Sequence, residues 1–279
     1  MIGVFDSGAG GLTVLGELRR RLPSADFLYV GDTARAPYGR KPAAAVTRFA
    51  GEIADFLCHR GAEAIVVACG TASAVALEDL RQRCPVPVWG VIDASVAAAT
   101  HATRTGSVGV IATAAAITSG AYQSRLHAHG LKVWARACPM LVHVAEEGLA
   151  DSAEAALLAR HYLADRPEMD TLILGCTHYP ILRAAIQRAA GPGVRLVDGA
   201  ADVASEVSAA LTGAARGSGH VLYYVTGDAE AFRHTARKMR RDEVLALEHA
   251  DWRPGETRVP RWLGSRVFPE LRPVTDPMS

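Results

Sequence analysis

The feature that most limits the possible fold of this chain is a set of short apolar runs, each followed by a helical segment. Residues 64–68 and 171–174 are short, apolar and rich in β-branched side chains, which is typical of strands buried on both faces of a parallel sheet. A helix is predicted after each run, over residues 71–80 and 179–190. Repeated strand–helix units of this kind predict an α/β fold with parallel sheets and right-handed crossovers.

The strand–helix pattern restarts after Thr105, so the two halves of the chain are loose copies of each other. We predict two pseudo-symmetric, doubly wound parallel-sheet lobes with the active site in the cleft between them. The first lobe comprises residues 1–95 and 207–279 and carries Cys69. The second comprises residues 96–206 and carries Cys176.

Cys69 and Cys176 each end a predicted strand and precede a polar turn. Open α/β sheets bind their ligands at the carboxyl ends of the strands, and a helix N-terminus favours a thiolate over a thiol. His178 follows two residues after Cys176 and can exchange a proton with a thiol. The alternative is that a cysteine is a small core residue, which is our interpretation of the remaining three, Cys58, Cys84 and Cys138.

Two polar loops are expected at the same edge of the sheet. Residues 6–11 form a glycine-rich turn without the spacing of a nucleotide-binding loop, and residues 31–39 include Tyr38. Either could be a plain surface turn, with Asp6 as a cap. A functional role for Asp6 is favoured if it lies beside Cys69, where a carboxylate can accept a proton or orient the thiol. Glu146 belongs to a charged pair that composition alone would place in solvent.

Composition excludes several classes of function. Thirty basic residues balance 29 acidic ones without a polybasic tract, which argues against a nucleic-acid partner. No secretory leader and no apolar stretch of about 18 residues is present, so a membrane association is not expected. Five cysteines without C-x-x-C spacing favour the cytoplasm over a disulfide scaffold or zinc site. No lysine occupies a pyridoxal-phosphate setting and no metal-ligand spacing occurs, so we expect no cofactor and no metal.

Four motifs in order along the chain give it a resemblance to a known family. They are residues 3–14 (GVFDSGAGGLTV), residues 31–39 (GDTARAPYG), Cys69 with residues 71–74 (TASA), and residues 172–180 (LILGCTHYP). Together they resemble the glutamate racemases of the cofactor-independent aspartate/glutamate racemase superfamily. The similarity runs from residue 2 to about residue 245, and the last motif is highly specific.

The resemblance implies that two cysteines invert the Cα centre of glutamate without a cofactor, to supply D-glutamate for peptidoglycan. Cys69 would attack the D-enantiomer and Cys176 the L-enantiomer, and a homodimer is implied. Asp6, His178 and Glu146 match the residues that assist the thiols. The positions that match substrate-binding ones are Asp6, Ser7, Tyr38, Gly39, Gly70, Thr71, Thr177 and His178.

Three departures from the family pattern stand out. Gly70 replaces an asparagine, residues 93–95 replace a Pro-Gly turn, and His143 replaces a proline. A lost amide at position 70 would cost about 1–3 kcal/mol if its partner stays unpaired. Three other interpretations stay open. They are a racemase for aspartate or another small acid, a weakly catalytic carboxylate-binding protein, and a cysteine hydrolase, in which the second thiol has no role.

Overall fold

Nine parallel strands in two sheets form the framework of the described chain, which is residues 1–211 and 217–239 of the computed structural model. The first sheet has the order β4-β3-β1-β2-β9 and the second the order β6-β5-β7-β8. The strands are β1 (Ile2–Asp6), β2 (Phe27–Gly31), β3 (Ala64–Val67), β4 (Val88–Gly90), β5 (Ser107–Ala112), β6 (Lys132–Ala137), β7 (Thr171–Leu174), β8 (Arg195–Val197) and β9 (Val221–Val225).

Helices cover both faces of each sheet and close separate apolar cores above and below it. This layering confirms the predicted α/β fold of two parallel-sheet lobes. The helices are α1 (Leu12–Arg21), α2 (Ala43–His59), α3 (Gly70–Val75), α4 (Leu77–Arg83), α5 (Val91–Ala102), α6 (Ala114–Thr118), α7 (Ala121–Ala128), α8 (Met140–Glu146), α9 (Ala153–Leu163), α10 (Arg183–Ala190), α11 (Ala200–Ala210) and α12 (Ala229–Met239).

The two lobes repeat one topology. In the first sheet β1 pairs with β2 and β3, and β3 pairs with β4. In the second sheet β5 pairs with β6 and β7, and β7 pairs with β8. Strand β3 therefore corresponds to β7, so that Cys69 and Cys176 follow equivalent strands. The internal repeat predicted from the sequence is thus present in the order in which the strands pair.

Two segments differ from the sequence-based prediction. The sequence predicts a strand over residues 86–92, but β4 ends at Gly90 and α5 begins at Val91. The apolar run continues because α5 packs against both lobes, with Val91 in the core of the first sheet and Ile92 in that of the second. The helix predicted over residues 179–190 begins as a 3₁₀ turn, Tyr179–Leu182, before α10.

The chain returns to the first sheet after the second lobe. Strand β9 pairs with β2 along its whole length, and Val203 and Val207 of α11 join the core that includes α1. The boundaries at residues 95 and 207 stay a prediction. The part of the first lobe assigned to residues 212–216 and 240–279 lies outside the described residues.

Across residues 1–211 and 217–239, the structure contains no helix with both the length and the apolar character that crossing a membrane requires.

Candidate active site

A cavity of about 190 Å³ lies where the carboxyl ends of both sheets face each other. All eleven residues predicted from the sequence to act in catalysis or substrate binding line it. The first lobe contributes the loops after β1, β2 and β3, and the second lobe the loop after β7 together with α8. Open α/β sheets commonly bind ligands at the carboxyl ends of their strands, and here the carboxyl ends of two sheets line the same cavity.

Cys69 lies at the N-terminus of α3, which begins at the next residue. Its Sγ accepts a hydrogen bond from the Ala72 N–H at 3.4 Å and donates to Ser7 Oγ at 3.8 Å. The thiol is almost completely buried, with 4% of the residue exposed. The loop after β1 therefore holds Ser7 against the thiol.

Asp6 ends β1 beneath the same thiol. Its Oδ2 accepts hydrogen bonds from Gly8 N–H at 3.2 Å and Gly11 N–H at 3.0 Å, while Oδ1 is buried without a partner in the structure. Burial raises the pKa of Asp6, against the opposing influence of the His178 charge and of the two backbone donors. A buried carboxyl with one free oxygen is suited to exchanging a proton with a neighbouring group or to binding a cation.

Cys176 lies opposite, at the start of a hydrogen-bonded row of three side chains. Its Sγ is 3.5 Å from His178 Nδ1, and His178 Nε2 is 3.0 Å from Glu146 Oε1. Glu146 reaches the row from the C-terminal end of α8 and is partly exposed. The sequence did not predict α8, so it provided no reason to bring Glu146 to the histidine; only the resemblance did.

The row favours a charged imidazole at His178. Burial opposes a charged imidazole, but the negative charges of Cys176 and Glu146 outweigh it and raise the pKa of His178 to about 10. Burial also opposes ionisation of Glu146, but the His178 contact outweighs it and lowers the pKa of Glu146.

The first thiol is in the opposite electrostatic situation. Burial and the nearby Asp6 raise the pKa of Cys69 above its usual range, although the Ala72 N–H at the start of α3 acts against them. A helix N-terminus is expected to favour the thiolate at both cysteines, and at Cys69 desolvation reverses that expectation. One thiol is therefore held as an acid, while the other lies beside a cation.

This difference predicts unequal alkylation of the two cysteines. At about pH 7 iodoacetamide should modify Cys176 several-fold faster than Cys69, because the thiolate is the nucleophile, burial and Asp6 keep Cys69 protonated, and a charged His178 contacts only Cys176. The Cys69 rate should keep rising throughout the alkaline range, because its pKa is raised above the usual value for a thiol. Peptide mass spectrometry over a time course would measure both rates. Equal rates at neutral pH, or an unchanged ratio in His178→Asn, would contradict the assignment.

The two lobes touch through a pair of threonines beside the cavity. Thr71 Oγ1 of α3 and Thr113 Oγ1 are 2.8 Å apart. Thr113 lines the cavity and caps α6, but it was missed in the sequence analysis. The available signal was its position directly after β5, which corresponds to the position of the loop after β1 in the first lobe.

Tyr38 lies in the cavity wall with its hydroxyl turned into the first lobe. The hydroxyl donates to Asp32, which also accepts hydrogen bonds from Arg35 at 2.7 Å and from Thr226 Oγ1 at 2.7 Å. Tyr38 and Asp32 are both buried. Tyr38, which the resemblance matches to a substrate-binding position, thus uses its hydroxyl to hold the loop after β2 in place.

Asp32→Asn is expected to lower the free energy of unfolding by about 1–3 kcal/mol, since one buried donor loses its acceptor. Glu52→Gln is the matched control, because Glu52 also pairs with Arg35 but is 28% exposed, so its effect should be below about 1 kcal/mol. Urea unfolding of the two variants measures both values. An Asp32 variant as stable as the Glu52 variant would show that the network does not stabilise the fold.

The arrangement places two thiols in one cavity, one from each lobe, and each has its own titratable neighbour. A carbon acid held between them would meet a base on one face and an acid on the other. Such a pair can remove a proton from one side of a carbon and return one to the opposite side. A single-nucleophile hydrolase would use one thiol only.

Comparisons with known proteins agree with this chemistry. The family model for Asp/Glu/Hydantoin racemase matches residues 13–207. A glutamate racemase of Thermus thermophilus is 52% identical over 243 residues, covering 85% of this chain and 91% of that protein. The crystal structure of a Thermus thermophilus glutamate racemase in complex with β-chloro-D-alanine has a TM-score of 0.81 and 49% identity, covering 89% of this chain and 96% of that chain.

A third comparison extends the match to a more distant organism. The crystal structure of glutamate racemase from Francisella tularensis in complex with D-glutamate is 34% identical, with a TM-score of 0.80, over 89% of this chain and 96% of that chain. The match covers both lobes, since the family model alone extends from the first helix to α11. The chain therefore belongs to the Asp/Glu/hydantoin racemase family of enzymes, within which these relatives are glutamate racemases.

Proposed function

We propose that this enzyme interconverts L-glutamate and D-glutamate, with Cys69 and Cys176 as the two bases. The observation that carries the proposal is the placement of two thiols from opposite lobes in one cavity, Cys69 beside Asp6 and Cys176 in contact with His178. The Francisella tularensis relative, whose structure contains D-glutamate, supports glutamate as the substrate.

The reaction needs one proton removed and one returned. With L-glutamate bound, the Cys176 thiolate takes the Cα proton, and the electron pair of the broken C–H bond stays on the substrate. The Cys69 thiol then gives its proton to the opposite face of Cα and keeps the electron pair as a thiolate. The reverse reaction begins from that thiolate, so the thiols exchange roles in each direction.

The neighbours of the thiols take up the charge that each step creates. His178, held by Glu146, stabilises a thiolate at Cys176. Asp6, beneath Cys69, is placed to exchange a proton with that thiol or to balance the substrate ammonium with its free Oδ1. The proposed substrate contacts come from both lobes and are Ser7, Tyr38, Gly39, Gly70, Thr71 and Thr177.

The cellular role that fits this activity is supply of D-glutamate for peptidoglycan in the cytoplasm, by a homodimer. The reaction needs no cofactor, because two thiols supply both the acid and the base. A carbon acid as weak as the Cα of glutamate demands strong charge stabilisation, which a narrow cavity between two lobes favours by excluding water.

Incubation of the purified enzyme with L-glutamate in D₂O tests the proposal. We expect the Cα–H signal in the proton NMR spectrum to disappear while the optical rotation decays to zero. L-aspartate under the same conditions is the matched substrate control and should react far more slowly. Turnover of aspartate but not glutamate would assign a sister racemase. No exchange with either acid would leave a carboxylate-binding protein and overturn the proposal.

A further inference from the structure

Two cysteines outside the cleft, Cys58 and Cys84, lie next to each other in the first lobe. Cys58 is in the last turn of α2, and Cys84 directly follows the last residue of α4. Their thiols are close enough to interact as hydrogen-bond partners. Both residues are partly buried and pack at the edge of the same apolar core. Neither lines the cavity that holds Cys69 and Cys176, so the proposed mechanism leaves this pair unused.

One face of α2 holds the end of α4 in place. Gly51, Asp55 and Cys58 follow one another at intervals of four and three residues, so they lie on the same face of the helix. The Arg83 guanidinium occupies the space that a Cβ at Gly51 would take, and its Nη2 donates to Asp55 Oδ2 at 2.9 Å. Because Cys84 is the next residue, its thiol is held beside that of Cys58 by contacts that do not involve sulfur.

The chain between the two cysteines contains Cys69. Residues 58–84 comprise β3, α3 and α4, and Thr47 Oγ1 of α2 already ties α3 to α2 by donating to Val75 O at 3.1 Å. A covalent bond between Cys58 and Cys84 would close this segment into a loop. Such a bond restricts the unfolded chain, while the folded chain already holds the two thiols together.

We propose that Cys58 and Cys84 are a reversible disulfide site, which a small-molecule disulfide oxidises. The thiolate of one cysteine attacks a sulfur of the small disulfide, breaks its S–S bond and releases one small thiol. The second cysteine then attacks the protein sulfur of the mixed disulfide and releases the other small thiol. The two cysteines lose two electrons and two protons and the small disulfide gains them, so two small thiols leave for each cross-link formed.

The surroundings of the pair make the first of these steps the slow one. Burial and the charge of Asp55 raise the pKa of Cys58, and burial and the neighbouring Cys58 raise the pKa of Cys84 to about 11, although Arg83 acts against this. Little thiolate is therefore present at neutral pH to begin the reaction. The second step joins groups that are already neighbours, so the mixed disulfide should not accumulate in the wild type.

Oxidised glutathione, added in excess to the reduced full-length protein, tests the proposal. We expect mass spectrometry to show the loss of two hydrogen atoms and a disulfide-linked pair of tryptic peptides, since cleavage after Arg60 and Arg83 separates the two cysteines. The Tm of the oxidised protein should be about 5–10 °C higher than that of the reduced protein. Dithiothreitol should reverse both changes.

Single cysteine variants separate the contact between the thiols from the reactivity of each one. Cys84→Ser should stop at a mixed disulfide of Cys58 with one glutathione, and Cys58→Ser should stop at the equivalent adduct on Cys84, in both cases without the increase in Tm. Cys138→Ala is the matched control. Cys138 lies in a core of the second lobe, so its replacement should leave the cross-link and the increase in Tm as in the wild type.

Separate glutathione adducts on Cys58 and Cys84 of the wild type, without linked peptides, would overturn the proposal. So would a pair that stays unmodified, or a cross-link from either residue to a cleft cysteine. A cross-link that lowers Tm would also overturn it, because the folded protein would then have to distort to form the bond. None of these measurements depends on racemase activity, so the disulfide site and the proposed function can fail independently.

Discussion

Replacing Cys69 or Cys176 with alanine is expected to lower the kcat for glutamate racemisation by at least about 10³-fold, because each direction needs both a base and an acid. The two variants should be equally inactive in both directions. Chiral chromatography of the glutamate formed from each enantiomer measures the residual rate. The proposed mechanism predicts that mixing the two variants restores no activity, since one cavity holds both thiols.

Cys58→Ala is the matched control for loss of a thiol. Cys58 lies near the C-terminal end of α2, packs against the core that α2 forms on the first sheet, and does not line the cavity, so its replacement should leave kcat within about twofold. A cleft-cysteine variant that retained one-tenth of the wild-type rate would rule out an obligatory role for that thiol in the two-base mechanism.

His178→Asn is expected to lower kcat/KM by about 10²-fold, because the thiolate at Cys176 loses the cation 3.5 Å away. L- and D-glutamate are mirror images with equal free energy in water, so their equilibrium constant is unity. A single catalyst must therefore lose the same factor of kcat/KM in both directions. Only kcat and KM taken separately can differ between the enantiomers.

The charge on His178 also makes a prediction about stability and pH. Its pKa rises from 6.5 to about 10 on folding. A raised pKa means that the folded state binds the proton more tightly, so this stabilisation is complete below about pH 6.5 and disappears as pH rises through about 10. The difference in Tm between the wild type and His178→Asn should shrink over that interval.

His161→Asn is the control for both histidine measurements. His161 is an exposed residue in α9, and its replacement should change neither kcat/KM nor the pH dependence of Tm. A difference in kcat/KM loss between the two substrate directions would reveal an unequal active fraction or an impurity in the assay. A Tm difference that grew with pH would contradict the ion pair.

The central strands and both thiols were predictable from the sequence because local pattern determines them. Strands β3 and β7 are short, buried on both faces and rich in β-branched residues, and a cysteine soon after each lies at the edge where the sheet binds ligands. The equivalence of the two strands followed from the repeated order of elements. These features depend on neighbours within a few residues.

The remaining features depend on contacts that are distant in sequence. The start of α5 could not be distinguished from the end of a strand, because its apolar residues Val91 and Ile92 serve two different cores. The hydroxyl of Tyr38 could not be assigned, since its partner Asp32 is buried by packing of the whole lobe.

The late position of strand β9 in the sequence affects the order in which the two lobes can fold during synthesis. Its neighbour His220 donates a backbone hydrogen bond to Asp26, 194 residues earlier, and Tyr223 and Phe232 pack against Tyr29, whose hydroxyl supports the loop of Asp6 through Gly8 O. The ribosome therefore releases both cysteines and the entire second sheet while β2 is still an open edge. The second lobe can fold first, and the Asp6 side of the cleft acquires its full support last.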